Sequence, residues 1–597
     1  MTHWKLFAAI ALLAIVALHC ATIPRSIWEF DESLFVAGVE QYEPLLHHPP
    51  PPGYPLYIGF AKLVAVFTPD AFTALLATSV IAVALGFLVF VLAFATITDL
   101  RTGVVAAVLL YGSPAVLISG TLPQSDAGAL ALLGLAIWGC TREKPALCGL
   151  FCAIAIGWRL QLSIAIVPMF LAAVVMMRSW RDRAIAVSAF GLACVAWFVP
   201  LVMQAGGPES YWKWLSGQAK YYAAHDADLS RSGQSAAHIA LRFIAHPWGP
   251  KFLSLPLLVL AIAGIRRNRR LIPLAAGGLV YLGFALATMD PADAVRYAIP
   301  SLPLIALLAA TTRHPERSEG VGREGHDARA WRPALPGPSL TLGMTCLYVL
   351  GSIWYALPVL RARATSPSPP AAAIRWIEAN VPKHAIVLYD PPLWPHASVQ
   401  LDEYKTMRID AGLAQYGGDP SVPMVIFADG ERADAKGVTF RWADTDAYRK
   451  LTREHYGAVS VIPLPPAERY RVIEGVFAPE RTRDGRAWRW LGSKAILEVP
   501  SLGATRARLV FRTPPEYPLD QNRIRVNDSV VAIKRNETVE VIIPITDTRI
   551  TITPERTFVP AQIRGANNRD QRTLSVMLTR VELLDRRPAA AGSPPPR

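Results

Sequence analysis

The sequence predicts a polytopic α-helical membrane domain of about eleven spans, then an extracytoplasmic α/β unit, then a C-terminal β-sandwich. Three observations predict it. Up to about Leu360 long apolar runs alternate with short polar ones, and beyond that point the chain reads as soluble. The strong Lys/Arg clusters between apolar runs fall on one side when the runs are threaded in order. From about Trp488 the pattern changes to alternating strands with turn residues between them.

Composition sets the bounds. The chain has 597 residues, 52% of them hydrophobic and 18% charged, so more than one domain is expected. The net charge of +14 does not point to nucleic acid, because several basic clusters sit in short loops where they set membrane orientation. The six cysteines (Cys20, Cys140, Cys148, Cys152, Cys194 and Cys346) lie in or beside apolar runs. Neither a disulfide framework nor a thiolate metal site is expected, and Cys148 and Cys152 read as small packing residues. The opening run MTHWKLFAAIALLAIVALHCATI has no small-x-small cleavage site and is read as a retained first membrane helix.

Threading starts with Lys5 inside. Residues 28–57, WEFDESLFVAGVEQYEPLLHHPPPPGYPLY, then form an outer loop, with an interfacial helix from Tyr57 to Phe67. Later spans return to Arg101, TREK (141–144), RSWRDR (178–183) and RRNRR (266–270) inside. Residues 146–177 form a tight hairpin with Trp158-Arg159 at its outer tip. The last span, about 340–360, leaves the C-terminal half outside. Residues 313–340, rich in Arg, Gly and Pro, are expected to be a disordered inner insertion. The expected domains are 1–360, a linker at 361–370, the α/β unit at 371–482, the β-sandwich at 483–586 and a disordered tail at 587–597. Strands are expected at 385–390, 424–429 and 458–464, with a helix from Asp444 to Tyr456.

This threading gathers the out-of-place polar residues on one outer face: Asp31, Glu32, His47, His48, Asp126, Arg159, Gln161, Asp290, Asp293 and Arg296. Charges at membrane depth are costly and mark pathways or sites. Each feature has two readings. Asp31 or Glu32 is a general base or a helix cap. Arg159 and the pair Arg296-Tyr297 are phosphate ligands or interfacial anchors. Asp126 is a site carboxylate or an N-cap. His47 and His48 are metal ligands or part of a stiff proline loop, since adjacent histidines do not easily share one ion.

In combination, the acid pair after the first span, His-Pro-Pro and Gly-Tyr-Pro-Leu-Tyr (with Tyr54), PQSDA, GWRLQ and RYAIPSLP resemble the GT-C glycosyltransferases. The likeness is to glycosyltransferase family 39, the protein O-mannosyltransferases, and bacterial aminoarabinose transferase-like relatives. It covers about residues 1–360. The resemblance implies a sugar donor on a polyprenyl phosphate, a lipid, protein or polysaccharide acceptor, and inverting transfer with Asp31 as general base. Glu32 would share the acid pair, and Arg159 and Arg296 would stabilise the leaving phosphate. His47, His48, Tyr54, Asp126, Gln161 and Tyr297 complete the expected substrate-binding set. No cofactor is called for, and a divalent metal stays open. The implied location is a bacterial inner membrane, N-terminus cytoplasmic and C-terminal domains periplasmic. The alternatives are a transporter or flippase, which would need repeated halves, and a non-catalytic surface-glycan assembly protein.

Overall fold

The computed structural model describes all residues except 1, 143, 223–232, 266–267, 312–337, 410, 413–421, 432–436, 443–455, 465–469, 482–486, 500–504, 516, 564–569 and 585–597. The expected insertion, apart from 338–340, the Asp444–Tyr456 helix up to residue 455, and the tail lie outside the described residues. The described residues divide into two compact units, one of 1–368 and one of 369–442 with 456 onward.

The first unit is helical. Its elements are α1 (Thr2–Ala21), α2 (Phe30–Glu40), α3 (Pro55–Ala65), α4 (Ala71–Ile97), α5 (Leu100–Tyr111), α6 (Pro114–Ser119), α7 (Asp126–Thr141), α8 (Pro145–Trp158), α9 (Ser163–Met176), α10 (Trp180–Gln204), α11 (Pro208–Tyr222), α12 (Ala236–Ile244), α13 (Lys251–Ala263), α14 (Ile272–Thr288), α15 (Ala294–Tyr297), α16 (Leu302–Ala310) and α17 (Pro338–Thr365). Among the described residues, five helices are long and apolar enough to cross a membrane, or six if one bent pair counts as a span. Six more helices of 10–17 residues are apolar but short. The expected spans therefore exist as apolar helices, but about half fall short of the roughly 20 residues a straight crossing needs.

Helix boundaries follow local chemistry. Asp70 accepts from the Thr73 N–H at 2.7 Å to start α4, and Asp99 accepts from the Thr102 N–H at 3.1 Å to start α5. The bent pair, Pro291–Tyr297 with Ile299–Ala310, turns by 46°. Pro300 at this break lacks the N–H a continuous helix would use. The break leaves Arg296 at the end of α15. The last helix runs on to Thr365, so the expected linker at 361–370 shrinks to three residues before the next helix. Arg363 is the cause: it is wholly buried and bonded to Glu29, which holds that last turn in place.

The second unit opens with α18 (Pro369–Asn380) and a five-stranded sheet. Its strands are β1 (Ile386–Tyr389), β2 (Lys405–Arg408), β3 (Met424–Asp429), β4 (Val438–Arg441) and β5 (Ala458–Pro463), with α19 (Trp394–Gln400) after β1. The order is β2-β1-β3-β5-β4, with β1 parallel to both neighbours and β5 antiparallel to both of its own. The short strands β2 and β4 are mixed in character and carry no apolar run to reveal them.

A second sheet follows: β6 (Arg471–Arg481), β7 (Ala487–Glu498), β8 (Arg506–Arg512), β9 (Gln521–Val526), β10 (Ser529–Lys534), β11 (Thr538–Pro544), β12 (Arg549–Pro554) and β13 (Met577–Leu584). Two expectations change here. The eight strands pair into one sheet, continuous through the twelve-residue β7, rather than into two separate sheets. One apolar core, including Leu491, Leu509, Phe511, Ile524 and Ile552, covers its buried face. The boundary with the α/β unit also falls before Arg471 and not at 482, because β6 pairs with β7. The alternation of β6 is masked by three register shifts. One lies at Gly475, whose φ of +68° and closeness to the Lys494 carbonyl admit no side chain.

Candidate functional site

The site grows from the turn before α2. Glu32 is completely buried and faces away from the chemistry expected of it. Its Oε2 accepts the backbone N–H of Trp28 at 2.7 Å and of Glu29 at 3.2 Å. The Gln124 side chain donates to its Oε1 at 3.4 Å. This is a capping carboxylate at the third residue of a helix. The acid pair is thus split: Glu32 fixes the helix start, and Asp31, one residue earlier, keeps an exposed carboxylate (32% of its side chain). Burial and the neighbouring Glu29 charge push the Glu32 carboxyl up to about 7.

Asp31 Oδ2 lies 3.6 Å from Arg296 Nη2. Arg296 Nε donates to Asp126 Oδ2 at 3.0 Å. Asp126 Oδ1 accepts from Arg159 Nη1. Arg159 Nε donates to Gln161 Oε1 at 3.2 Å. Five predicted residues, separated by up to 265 positions, thus form one contact chain: Asp31, Arg296, Asp126, Arg159, Gln161. Asp126 and Arg159 are 2% and 6% exposed. Asp126 is the first residue of α7, yet its carboxylate is spent on two guanidiniums, and the cap reading does not describe it. Two carboxylates and two guanidiniums make the set formally neutral, so neither cation is buried without a counter-charge. A small pocket beside Asp126 and Arg159 is lined further by Leu130, Leu133, Leu162 and Ile299.

Aromatic packing holds these helix ends together. Phe35 of α2 meets Tyr54 and Tyr57 edge-on at 5.0 and 5.2 Å. Tyr57 meets Trp158 at 5.3 Å, and the Trp158 indole N–H donates to the Ser125 carbonyl at 3.0 Å, one residue from Asp126. Tyr54 is therefore buried structure beneath the site. The proline loop packs on the same helix: a Cβ on Gly38 would stand 2.9 Å from the Pro49 nitrogen, so only glycine admits this approach.

His47 and His48 serve that loop. Glu43 and His48 exchange backbone hydrogen bonds at 2.7 and 3.1 Å, and the His47 ring packs edge-on to Trp214 at 6.2 Å. Burial lowers the pKa of both imidazoles. Tyr297 is half-buried against the helical core beside Arg296. Asp290 caps the turn before α15, accepting the Ala292 N–H at 2.8 Å. Among the described residues, the group of three His, Cys, Asp or Glu side chains within reach of a single ion is Cys140, Cys148 and Cys152. The reading of Cys148 and Cys152 as small packing residues fits their burial, and the structure sets Cys140 beside them. The turn at 141–145 folds α8 back on α7 and brings the three sulfurs together.

No family model matches the chain, and no curated protein matches it. It is similar to several solved structures. ArnT from Cupriavidus metallidurans bound to undecaprenyl phosphate is 13% identical, over 78% of this chain and 98% of that one, with a TM-score of 0.49. The Archaeoglobus fulgidus oligosaccharyltransferase in the apo form is 10% identical over 97% of each chain, with a TM-score of 0.47. The arabinofuranosyltransferase AftD from Mycobacteria is 12% identical, over 98% of this chain and 59% of that one, with a TM-score of 0.42. Likenesses at this level fix neither a family nor an activity, so the site's own geometry carries the function.

Sequence reasoning missed Glu29 and Arg363. Arg363 Nη2 donates to Glu29 Oε1 at 3.3 Å, with its guanidinium 5.8 Å from the Trp28 ring centre. The Arg25 N–H donates to the Arg363 carbonyl at 3.1 Å, and the Ser368 N–H donates to Ser26 Oγ at 2.9 Å. The end of α17 is therefore fastened to the strand of chain that leads into Asp31. Nothing marks Arg363 in sequence, since an arginine just past a span also reads as an interfacial anchor.

Proposed function

We propose that the protein is a membrane glycosyltransferase that moves a sugar from a polyprenyl-phosphate carrier to an acceptor hydroxyl at the extracytoplasmic face. The observation that carries this reading is the Asp31–Arg296–Asp126–Arg159 contact chain. It joins a partly exposed carboxylate to two positively charged groups at helix ends, as the sequence motifs imply. Asp31 takes the acceptor's hydroxyl proton. The acceptor oxygen attacks the anomeric carbon on the face opposite the phosphate. The bond from that carbon to the phosphate oxygen breaks, the configuration inverts, and polyprenyl phosphate leaves. Arg296 and Arg159 face the charge that develops on the phosphate, which is where fixed cations act most strongly. Asp126 is a positioning residue that holds both arginines without touching substrate.

The division of labour follows from exposure. The carboxylate that must meet an acceptor is the open one, while the one that orients cations is buried. The lipid chain would lie along the apolar helices, and the N-terminus and basic loops would be cytoplasmic. The test is a donor screen: membranes containing the protein are supplied with polyprenyl-phosphate sugars, and products are read by mass. Transfer of one hexosyl or pentosyl residue with release of polyprenyl phosphate supports the assignment. Movement of the intact lipid-linked sugar across the bilayer with no new glycosidic bond would replace it with the flippase reading.

A further inference from the structure

We propose that Cys140, Cys148 and Cys152 form an all-thiolate site for a soft d10 metal cation, and that cuprous copper is the ion the trigonal arrangement suits. Cys140 Sγ lies 3.2 Å from Cys148 Sγ and 3.8 Å from Cys152 Sγ, and all three sulfurs fall within 4.8 Å of one another. Separations of 3.2 and 3.8 Å put Cys140 in direct contact with both other sulfurs. A metal–sulfur bond of about 2.3 Å places the sulfurs of a trigonal set about 4.0 Å apart. The three thiols are thus already spaced for one ion at their centre.

The site is built by two helix ends. Cys140 is in the last turn of α7, and Cys148 and Cys152 are one turn apart on the same face of α8. Cys148 stands in the opening turns of α8, where the positive end of the helix favours a thiolate. Cys148 and Cys152 are fully buried. The connecting turn supplies exposed Arg142 and Lys144, cations that offset the anionic charge of a three-thiolate complex at the end of an apolar bundle. Soft sulfur ligands select cuprous copper and zinc among available ions. Structural zinc usually takes four protein ligands, and among the described residues no fourth His, Cys, Asp or Glu joins this group. A compact set of three soft sulfurs suits the monovalent ion. The site lies apart from Asp31 and its partners and has no step in sugar transfer.

The test uses the full chain, purified in detergent under reducing conditions and then freed of reductant without oxygen. Cuprous ion is titrated in as its acetonitrile complex against a chromophoric chelator, with Zn2+ in parallel. A background with Cys20, Cys194 and Cys346 replaced by Ser removes the remaining thiols. In that background one equivalent of Cu+ should bind. Cys148→Ser and Cys152→Ser should each lower the affinity at least a hundredfold. Ultraviolet absorption of the unsubstituted protein gives a readout independent of any variant's folding: copper should raise a thiolate-to-copper charge-transfer band that saturates at one equivalent. A titration with no such band overturns the proposal. So does stronger binding of Zn2+ than Cu+, or a reduced protein that binds no ion and reoxidises to a Cys140–Cys148 disulfide.

Discussion

Replacing Asp126 with Asn probes the core of the account, because one change removes the shared counter-charge and leaves the shape. Asp126 meets Arg159 through Oδ1 and Arg296 through Oδ2, at 2% exposure. In the variant Arg296 keeps Asp31 at 3.6 Å and Arg159 keeps only the neutral Gln161 at 3.2 Å. The four-charge set goes from neutral to +1, with the excess on a guanidinium that is 6% exposed. Removing one partner of a buried pair costs about 3–5 kcal/mol, and partial water access to Arg296 brings the expectation to the lower end. Transfer should fall about a hundredfold, equivalent to roughly 2.7 kcal/mol of transition-state stabilisation. The fall should be in kcat. The donor's KM should hold or drop, because its phosphate now supplies the missing negative charge. The assay is initial-rate transfer from a defined polyprenyl-phosphate sugar, with thermal unfolding followed by size-exclusion fluorescence. Adding Arg159→Gln to Asp126→Asn should restore stability but not transfer. An Asp126→Asn protein with wild-type kcat and melting temperature would refute the reasoning.

Other predictions follow from the supporting contacts. Arg363→Met alone should destabilise the helical unit by about 3–5 kcal/mol by leaving Glu29 buried without its guanidinium, and the Glu29→Gln/Arg363→Met pair should recover most of that; the readout is melting temperature in one detergent. Glu32, held up to about 7 against an ordinary 4.5, binds its proton more tightly folded than unfolded. Its contribution to stability is therefore full below pH 4.5 and is lost as pH rises to about 7. The ceiling on that loss is about 3 kcal/mol at roughly 1.4 kcal/mol per pH unit, a pH slope that Glu32→Gln should flatten and denaturation from pH 5 to 8 should reveal. Gly128→Ala should displace the Trp158 ring, whose Cζ2 leaves no room for a Cβ there, and should lower transfer without touching a charged group; intrinsic fluorescence and rate report it together.

The apolar runs made the helical unit legible, and one sequence-level idea, a common outer face, selected the residues that meet. Asp31, Asp126, Arg159, Gln161 and Arg296 carry charge or amide groups where lipid would otherwise be expected, and that contradiction is visible without coordinates. Glu32 shows the limit. In sequence it equals Asp31, and only the direction of the first turn of α2 turns one carboxylate to the backbone and leaves the other open. The histidines and Tyr54 are conspicuous in sequence, and in the structure the histidines stand in the proline loop while Tyr54 is buried against Phe35. The cysteines read as packing residues, and spacing along the chain hides the convergence with Cys140 that a hairpin of helices makes. In the second unit strong strands such as Met424–Asp429 stood out, whereas β2, β4 and the bulged β6 did not. Their alternation is short or broken, so pairing partners and not local pattern fix them.

The most direct measurement is the transfer rate of Asp31→Asn in stably inserted protein, with donor and acceptor saturating and membrane levels matched. Asp31 sits in the second residue of α2 with its carboxylate partly open and only the 3.6 Å contact to Arg296 to lose, so the fold should survive the change. Loss of a general base predicts a drop of about 10²–10⁴-fold, with donor binding retained. A variant that transfers sugar at the wild-type rate would show that the proton leaves by another route and that Asp31 is not the base.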